Sequence, residues 1–336
     1  MVRFLTPSPI RLKYEDIMKP IAFLAATAAL LLAQPAFTQD AFPVTLEHFY
    51  GETVIEAEAE RIVTISWMAQ DTVLALGEVP VAIQSQTWGG DENGYLPWVK
   101  QAVEDLGQEL PATLDTSNGL PFEQILELEP DLILAPYSGI SEDDYDRLSA
   151  IAPTVAYKEA PWTGSWQYVV ETVGAAMGRS EEAAGLIAQT HDRIARYAAD
   201  NPQFAGRTFA FGGGSDAGNV GLYIPSDPRV HLMEDLGLVP AEALNELATD
   251  NYVQQVSFEQ LDSVDAEVFI AWYSSQDDLD TIMANPLFAR WRPIAEGNFV
   301  PLIDRAFVMA LSAPSPLSIP WMMDRFVPML AETLEQ

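Results

Sequence analysis

Cysteine is absent from all 336 residues, and with it go a disulfide framework, a thiol nucleophile, any thiolate-bound metal and a lipid anchor on an N-terminal cysteine. Histidine is nearly as scarce. His48, His191 and His231 stand far apart in the chain and supply neither a metal triad nor a Ser-His-Asp set. No GxSxG turn occurs either, so a secreted α/β hydrolase or reductase, the rival from another class, lacks its nucleophile, and a metal-ion receptor lacks converging ligands. Positive charge is the third shortage. The 17 Lys and Arg against 49 Asp and Glu leave a formal net charge of −32, which repels nucleic acid and anionic membranes. The acidity itself reads as a solubility device.

Apolar runs long enough to span a bilayer are missing too. The one extended stretch, Ile21 to Ala33, lies behind Lys19 and before Gln34, Pro35 and Ala36, the layout of a secretory signal peptide and too short for a membrane helix. Residues 1–36 are read as that signal, with Met18 as a sufficient start, residues 1–17 as an extension it does not need, and cleavage after Ala36 or Thr38. Export without a lipidated cysteine predicts a free periplasmic protein, and a monomer is expected.

What is present argues for a folded α/β protein. Apolar residues make up 49% and charged ones 20%, with eight Trp, too apolar for disorder. The β-branched run "RIVTIS" (61–66) precedes a helical pattern, "AQDTVLALG" (69–77), and a second strand, "VPVAIQ". "SQTWGGDENGYLPW" then carries every breaker signal of a loop. Strand and helix alternate on through "PFEQILELEPDLILA", "SEDDYDRLSAIA" and "PTVAY", the pattern of βα units and parallel pairing. From Ser165 to Ala199 the chain is almost all helical, broken at Gly178–Ser180, with Ser180 as N-cap before Glu181 and Glu182. A helix of about 20 residues reaches about 30 Å, enough to bridge two lobes. A fresh βα series follows, ending in a helix at "IPWMMDRFVPMLAETL". The expected architecture is two Rossmann-like lobes with mostly parallel sheets, residues 37–179 and 202–336, joined by one long helix at 180–201.

The halves echo each other. "LPFEQILELEPDLIL" (120–134) is answered by "VSFEQLDSVDAEVFI" (256–270), and "LALGEVP" (74–80) by "EDLGLVP" (234–240). Glu123 and Glu259 each fall in the first turn of a predicted helix, where the dipole favours an acid; Ser257 and Gln260 suffice as a capping box for the second. Ligands of open α/β sheets bind beyond the strands' carboxyl ends. The residues at and just beyond the predicted strand ends include Trp67, Trp88, Tyr137, Lys158, Trp162, Tyr223, Arg229, Trp272, Tyr273 and Arg305, which predicts an aromatic-walled cleft with few cations. "FGGGSDAG" lacks the Lys and following helix of a phosphate loop and reads as a cleft-lining turn. "DENG" lacks the spaced ligands of a calcium loop and reads as a solvated turn.

Several pieces carry a family likeness: "RIVTISWMAQDTVLALGEVPVAI", "WGGDENGYLPW", "LPFEQILELEPDLILAPYSG", "YDRLSAIAPTV", "GLYIPSDPRVHLMEDLGL", "VSFEQLDSVDAEVFIAW", "PLFARW" and "SAPSPLSIPW". In order and spacing the chain resembles the iron–siderophore substrate-binding proteins of ABC importers, the periplasmic class whose two lobes share one long helix. The resemblance implies a binding protein and not an enzyme, no cofactor, and a ferric siderophore gripped between the lobes with modest closure. It implies that Glu123 and Glu259 dock on Arg pockets of the two permease subunits. It implies compensation of an anionic complex by Arg305, Arg229 and Lys158, and ring contacts from Trp67, Trp88, Tyr137, Trp272 and Tyr273. A catecholate, hydroxamate or carboxylate complex each remains open. Haem or cobalamin on the same fold is the nearest rival, with His231 as the axial ligand haem would need.

Overall fold

The computed structural model describes residues 40–216, 218–246 and 253–335; the signal segment, residues 1–36, lies outside them. Among the described residues no helix is long and apolar enough to cross a membrane.

A hairpin of β1 (Val44–His48) and β2 (Gly51–Ile55) precedes the first sheet. That sheet takes β3 (Ile62–Thr64), β4 (Ala82–Gln84), β5 (Ala112–Leu114), β6 (Leu132–Leu134) and β7 (Thr154–Val155) in the order β5-β4-β3-β6-β7, every pairing parallel. Helices α1 (Ala69–Ala75), α2 (Pro97–Asp105), α3 (Phe122–Glu127) and α4 (Glu142–Ser149) connect the strands. β3 and β6 are buried along their whole length, as parallel strands covered by helices on both faces must be. The chain steps outward from β3 to β5, then returns to lay β6 on the other side of β3. Such a reversal of strand order opens a crevice beyond the two strands' carboxyl ends.

α5 (Trp166–Ala176) leads into α6 (Ser180–Asp200), whose 21 residues reach about 31 Å and lead to a second sheet. The N-cap of α6 is Arg179 rather than Ser180. Ser180 can enter the helix because Asp40 supplies the capping acceptor from outside: its carboxylate takes the Ser180 Oγ proton at 2.5 Å and the Ser180 N–H at 3.2 Å.

The second sheet contains β8 (Thr208–Asp216), β9 (Asn219–Tyr223), β10 (Val239–Pro240), β11 (Val253–Ser257), β12 (Val268–Trp272) and β13 (Phe299–Leu302), in the order β11-β9-β8-β12-β13 with β10 beside β8. Its β8–β12–β13 side is parallel, while β9 and β11 pair antiparallel. α7 (Pro228–Asp235), α8 (Ala243–Glu246), α9 (Gln276–Met283), α10 (Pro286–Ala289) and α11 (Arg292–Ala295) surround it. The glycine run "GGG" is part of strand β8, not a cleft-lining turn: β9 and β12 approach too closely for a side chain at Gly212 and Gly213, and Gly214 sits at φ +62°. The second Phe-Glu-Gln segment departs from its expected helix. β11 keeps its ladder bonds through Ser257, and Phe258–Gln260 is a turn leading to a single 3-10 turn at Leu261–Ser263. Ser257 Oγ donates to Gln260 Oε1 at 3.1 Å instead of forming a capping box.

After β13, α12 (Arg305–Ser312) starts from an Asp304 cap and α13 (Ser318–Leu334) closes the chain. α13 packs against α6 and brings Trp321 within 5.3 Å of Trp98 on α2. One cluster of buried side chains runs from Leu132 and Leu134 of the first sheet through Val173, Ile194 and Phe326 to Phe211 and Ile270 of the second. The two sheets share a core as well as a helix.

Candidate functional site

The crevice between β3 and β6 is walled by rings. Trp67 follows β3 and Tyr137 follows β6; their rings stack at 6.3 Å and the Trp67 N–H reaches the Tyr137 carbonyl at 3.5 Å. Trp162 leans on both, 5.2 Å from Trp67 and 6.0 Å from Tyr137, and is 46% exposed. Ser66, Met68 and Trp162 all have positive φ, 76°, 69° and 60°. Non-glycine residues held there carry strain, which concentrates at functional sites.

The second sheet answers with Trp272, the last residue of β12, and Tyr223, the last of β9. Trp272 Nε1 donates to Tyr223 Oη at 2.8 Å, and Arg229 Nη1 donates to the same oxygen at 3.2 Å while its guanidinium lies 3.8 Å from the Tyr223 ring centre. Asp227 holds Arg229 from two sides, accepting Nε at 2.8 Å and Nη2 at 2.7 Å. It also caps α7, accepting the Arg229 N–H at 2.9 Å. Tyr137 belongs to the same field: burial pushes its phenol above the ordinary value, the Arg229 charge pulls it down and the Asp227 charge pushes it up.

Trp88 joins the two sides, its ring edge-on to Trp272 at 6.2 Å. The loop bearing it lies against α12: a Cβ on Gly89, at φ +87°, would meet the Arg305 carbonyl at 2.9 Å, so only glycine lets the loop sit so close. A cavity of about 360 Å³ opens there between Trp67, Gln84, Gln86, Trp88, Thr116 and Met309. A second of about 270 Å³ shares Gln84 and Thr116 and extends to Ser66, Ser138 and Trp162. A hollow of about 490 Å³ beside α6, with Arg193 and Arg196 in its wall, lies outside this cluster.

Seven of the ten sequence-derived ligand positions thus come together: Trp67, Trp88, Tyr137, Trp162, Tyr223, Arg229 and Trp272. Tyr273 does not. It is 2% exposed in the second lobe's core, edge-on to Phe299 at 6.3 Å, and burial raises its phenol. Neighbours on a strand point to opposite faces; Trp272 shares a face with Val268 and Ile270, Tyr273 with Phe269 and Ala271. Lys158 is exposed, and no hydrogen bond or ion pair among the described residues ties it to the rings. Arg305 opens α12 with its side chain exposed. Sequence reasoning missed Asp227, although Asp before Pro228 at a helix start is a readable cap signal, and it missed Gln84, whose Oε1 accepts the Ser66 N–H at 2.8 Å.

Comparison with known proteins decides the family. A model described as periplasmic binding protein matches residues 62–306. The chain belongs to the periplasmic binding protein family. Among curated relatives, the Fe(3+)-citrate-binding protein YfmC of Bacillus subtilis is 26% identical over 253 residues, 74% of each chain. The Fe(3+) dicitrate-binding periplasmic protein FecB of Escherichia coli is 25% identical over 244 residues, 67% of this chain and 75% of its own. Among solved structures, Streptococcus pneumoniae PiaA in complex with ferrichrome superposes with a TM-score of 0.76 at 31% identity, covering 87% of this chain and 99% of PiaA.

The family of this periplasmic binding protein is one of binding proteins, not enzymes. None of its three His joins the ring cluster: His48 bonds Thr53, His191 packs on Trp166, and His231 is exposed on α7. Among the described residues no group of three His, Asp or Glu is placed to hold a metal ion. Glu123 in α3 and Glu259 in the turn after β11 are both exposed, and neither forms an ion pair with a described residue.

The indole of Trp272 depends on a bare backbone opposite it. A Cβ on Gly213 would overlap Nε1 and Cδ1 of that ring. Gly213→Ala is therefore expected to drive Trp272 off Tyr223, shift tryptophan emission and weaken ligand binding about tenfold or more. Unchanged emission and affinity would show that the ring's seat does not matter.

Proposed function

We propose that this protein captures a ferric siderophore between the carboxyl edges of its two sheets and hands it to an ABC importer. The observation that carries the proposal is the shared ring cluster: Trp67, Tyr137 and Trp162 from one sheet meet Trp88, Trp272, Tyr223 and Arg229 around the crevice mouth. Rings and methylenes of a wrapped iron chelate suit such walls, and the guanidinium over Tyr223 offers donors to chelating oxygens. The likeness to PiaA, a ferrichrome complex, and to Fe(3+)-citrate-binding relatives supports the same cargo class. The absence of a His from the ring cluster tells against haem.

The finer parts of the reading stand on the exposed acids and the chain's order. Residues 37–179 and 202–336 act as the lobes and 180–201 as their link. The protein works as a monomer, exported by residues 1–36 and free in the periplasm. Glu123 and Glu259 are the contacts with the permease dimer. Tryptophan fluorescence tests the cargo. Ferrichrome, ferric citrate, a ferric tris-catecholate, haemin and cobalamin are titrated into the purified protein, and saturable quenching by at least one of the three siderophore-type complexes is expected. Saturation by haemin or cobalamin alone, or by none of the five, refutes the proposal.

A further inference from the structure

We propose that Asp227 sets the charge of the cargo: by cancelling the Arg229 cation it leaves the crevice without net positive charge and fits it to an uncharged ferric complex, of the tris-hydroxamate class. The inference rests on the siderophore reading above and refines it. Arg229 is the one Lys or Arg side chain that a ring contact or hydrogen bond ties to the ring cluster among the described residues. Its charge is matched at contact distance. Asp227 is 2% exposed and grips the guanidinium with both carboxylate oxygens, at 2.8 and 2.7 Å. Opposite charges so close, away from water, cancel each other's field at longer range.

Among the described residues the walls of the two cavities restore no positive charge. The two cavities at the crevice are lined by Gln, Ser, Thr and rings, with Asp115 in one and Asp144 in the other and no Lys or Arg in either. Arg305 and Lys158 are exposed, where a surface charge is screened by salt over about 8 Å. A trianionic tris-catecholate entering this site loses its hydration and meets no net cation, whereas an uncharged chelate needs none. The pair still serves the uncharged ligand. Asp227 fixes the guanidinium plane over Tyr223, and Arg229 Nη1 keeps its donors toward the Tyr223 and Ser312 hydroxyls.

Asp227→Asn tests this while keeping the cap, since Asn caps a helix N-terminus as well as Asp does; it removes the charge and one of the two oxygens that accept from the guanidinium. Ferrichrome serves as the uncharged probe and a ferric tris-catecholate as the trianion, each titrated by tryptophan fluorescence. Wild type is expected to favour ferrichrome by about a hundredfold or more, and the variant to narrow that ratio at least about tenfold by gaining affinity for the trianion. A wild type that prefers the trianion, or a variant with an unchanged ratio, overturns the role of Asp227. Should the variant not fold, the unaltered protein still decides: its affinity for the trianionic tris-catecholate is expected not to fall between low and physiological salt, and a steep loss with salt, the mark of attraction to a net cation, contradicts a site without one. Binding of neither probe to wild type instead overturns the siderophore reading itself.

Discussion

Replacing Glu123 and Glu259 together by Arg is expected to abolish cellular uptake of the ferric ligand while leaving its affinity for the purified protein within about twofold. Both side chains are exposed, one in the first turn of α3 and one in the turn that follows β11, and neither is occupied by an ion pair within the described chain. A carboxylate on a short rigid element is a ready partner for a bidentate Arg. Removing one member of a desolvated interface charge pair costs roughly 2–5 kcal/mol. Reversal at two sites should therefore weaken docking by more than about 4 kcal/mol, roughly a thousandfold. Single reversals keep one foothold and should retain part of the uptake. Affinity is insulated because neither Glu is part of the ring cluster or lines its two cavities. Normal uptake by the double variant, or a parallel loss of ligand affinity, would sink the docking role.

The duplicated Phe-Glu-Gln segment shows how far the chain's pattern could be read. Its first copy forms the expected helix, because Pro121 and the apolar spacing through Ile125 leave the backbone free to coil. Its second copy does not, because β11 holds Ser257 in a ladder with Asn219; that antiparallel partner is 38 residues distant in sequence and invisible to local propensity. The buried strand β3 was legible as a β-branched run and β6 as an apolar one, and with them Trp67 and Tyr137 at their ends. β5 was not, since Ala112–Leu114 is short and only its last residue is buried. α2 begins at the end of a segment rich in breakers, with Pro97 in its first turn, where Pro is welcome. For Trp272 and Tyr273 the alternation of a strand says that one faces the crevice and the other the core. Which is which depends on the helices covering each face, and those are set by the whole fold. Asp227 was missed because its two-oxygen hold on Arg229 is a matter of geometry and not of residue type.

Asp71→Asn is expected to leave the fold intact, to raise the melting temperature by several degrees near pH 7, and to lose that advantage as the pH falls toward 4. Asp71 sits on α1 at 1% exposure, and its carboxylate bridges the two halves: Oδ2 accepts Trp98 Nε1 at 2.8 Å and Ser315 Oγ at 2.6 Å, while Oδ1 accepts Gln70 Nε2 at 3.0 Å. Ser315 belongs to the loop that caps α13, where the Ser318 N–H reaches its Oγ at 2.9 Å. Burial pushes the Asp71 carboxyl up to about 6, against the pull of the Ser315, Trp98 and Gln70 bonds. A carboxyl raised in the fold contributes stability that is fully present below its unfolded value of 3.8 and is lost as the pH rises through about 6. The loss is on the order of 3 kcal/mol. Asn removes the buried charge and keeps one oxygen for Trp98 and Ser315. Its NH₂ then faces Gln70, whose Oε1 is buried with no partner, and a flip of that amide would pair the two. The measurement is the difference in melting temperature between variant and wild type from pH 4 to 8, which cancels the titration of the many surface acids. A difference that stays flat, or a variant less stable than wild type at pH 7, would mean that the three donors hold Asp71 as a favourable anion and that the bridge to Ser315 needs its charge.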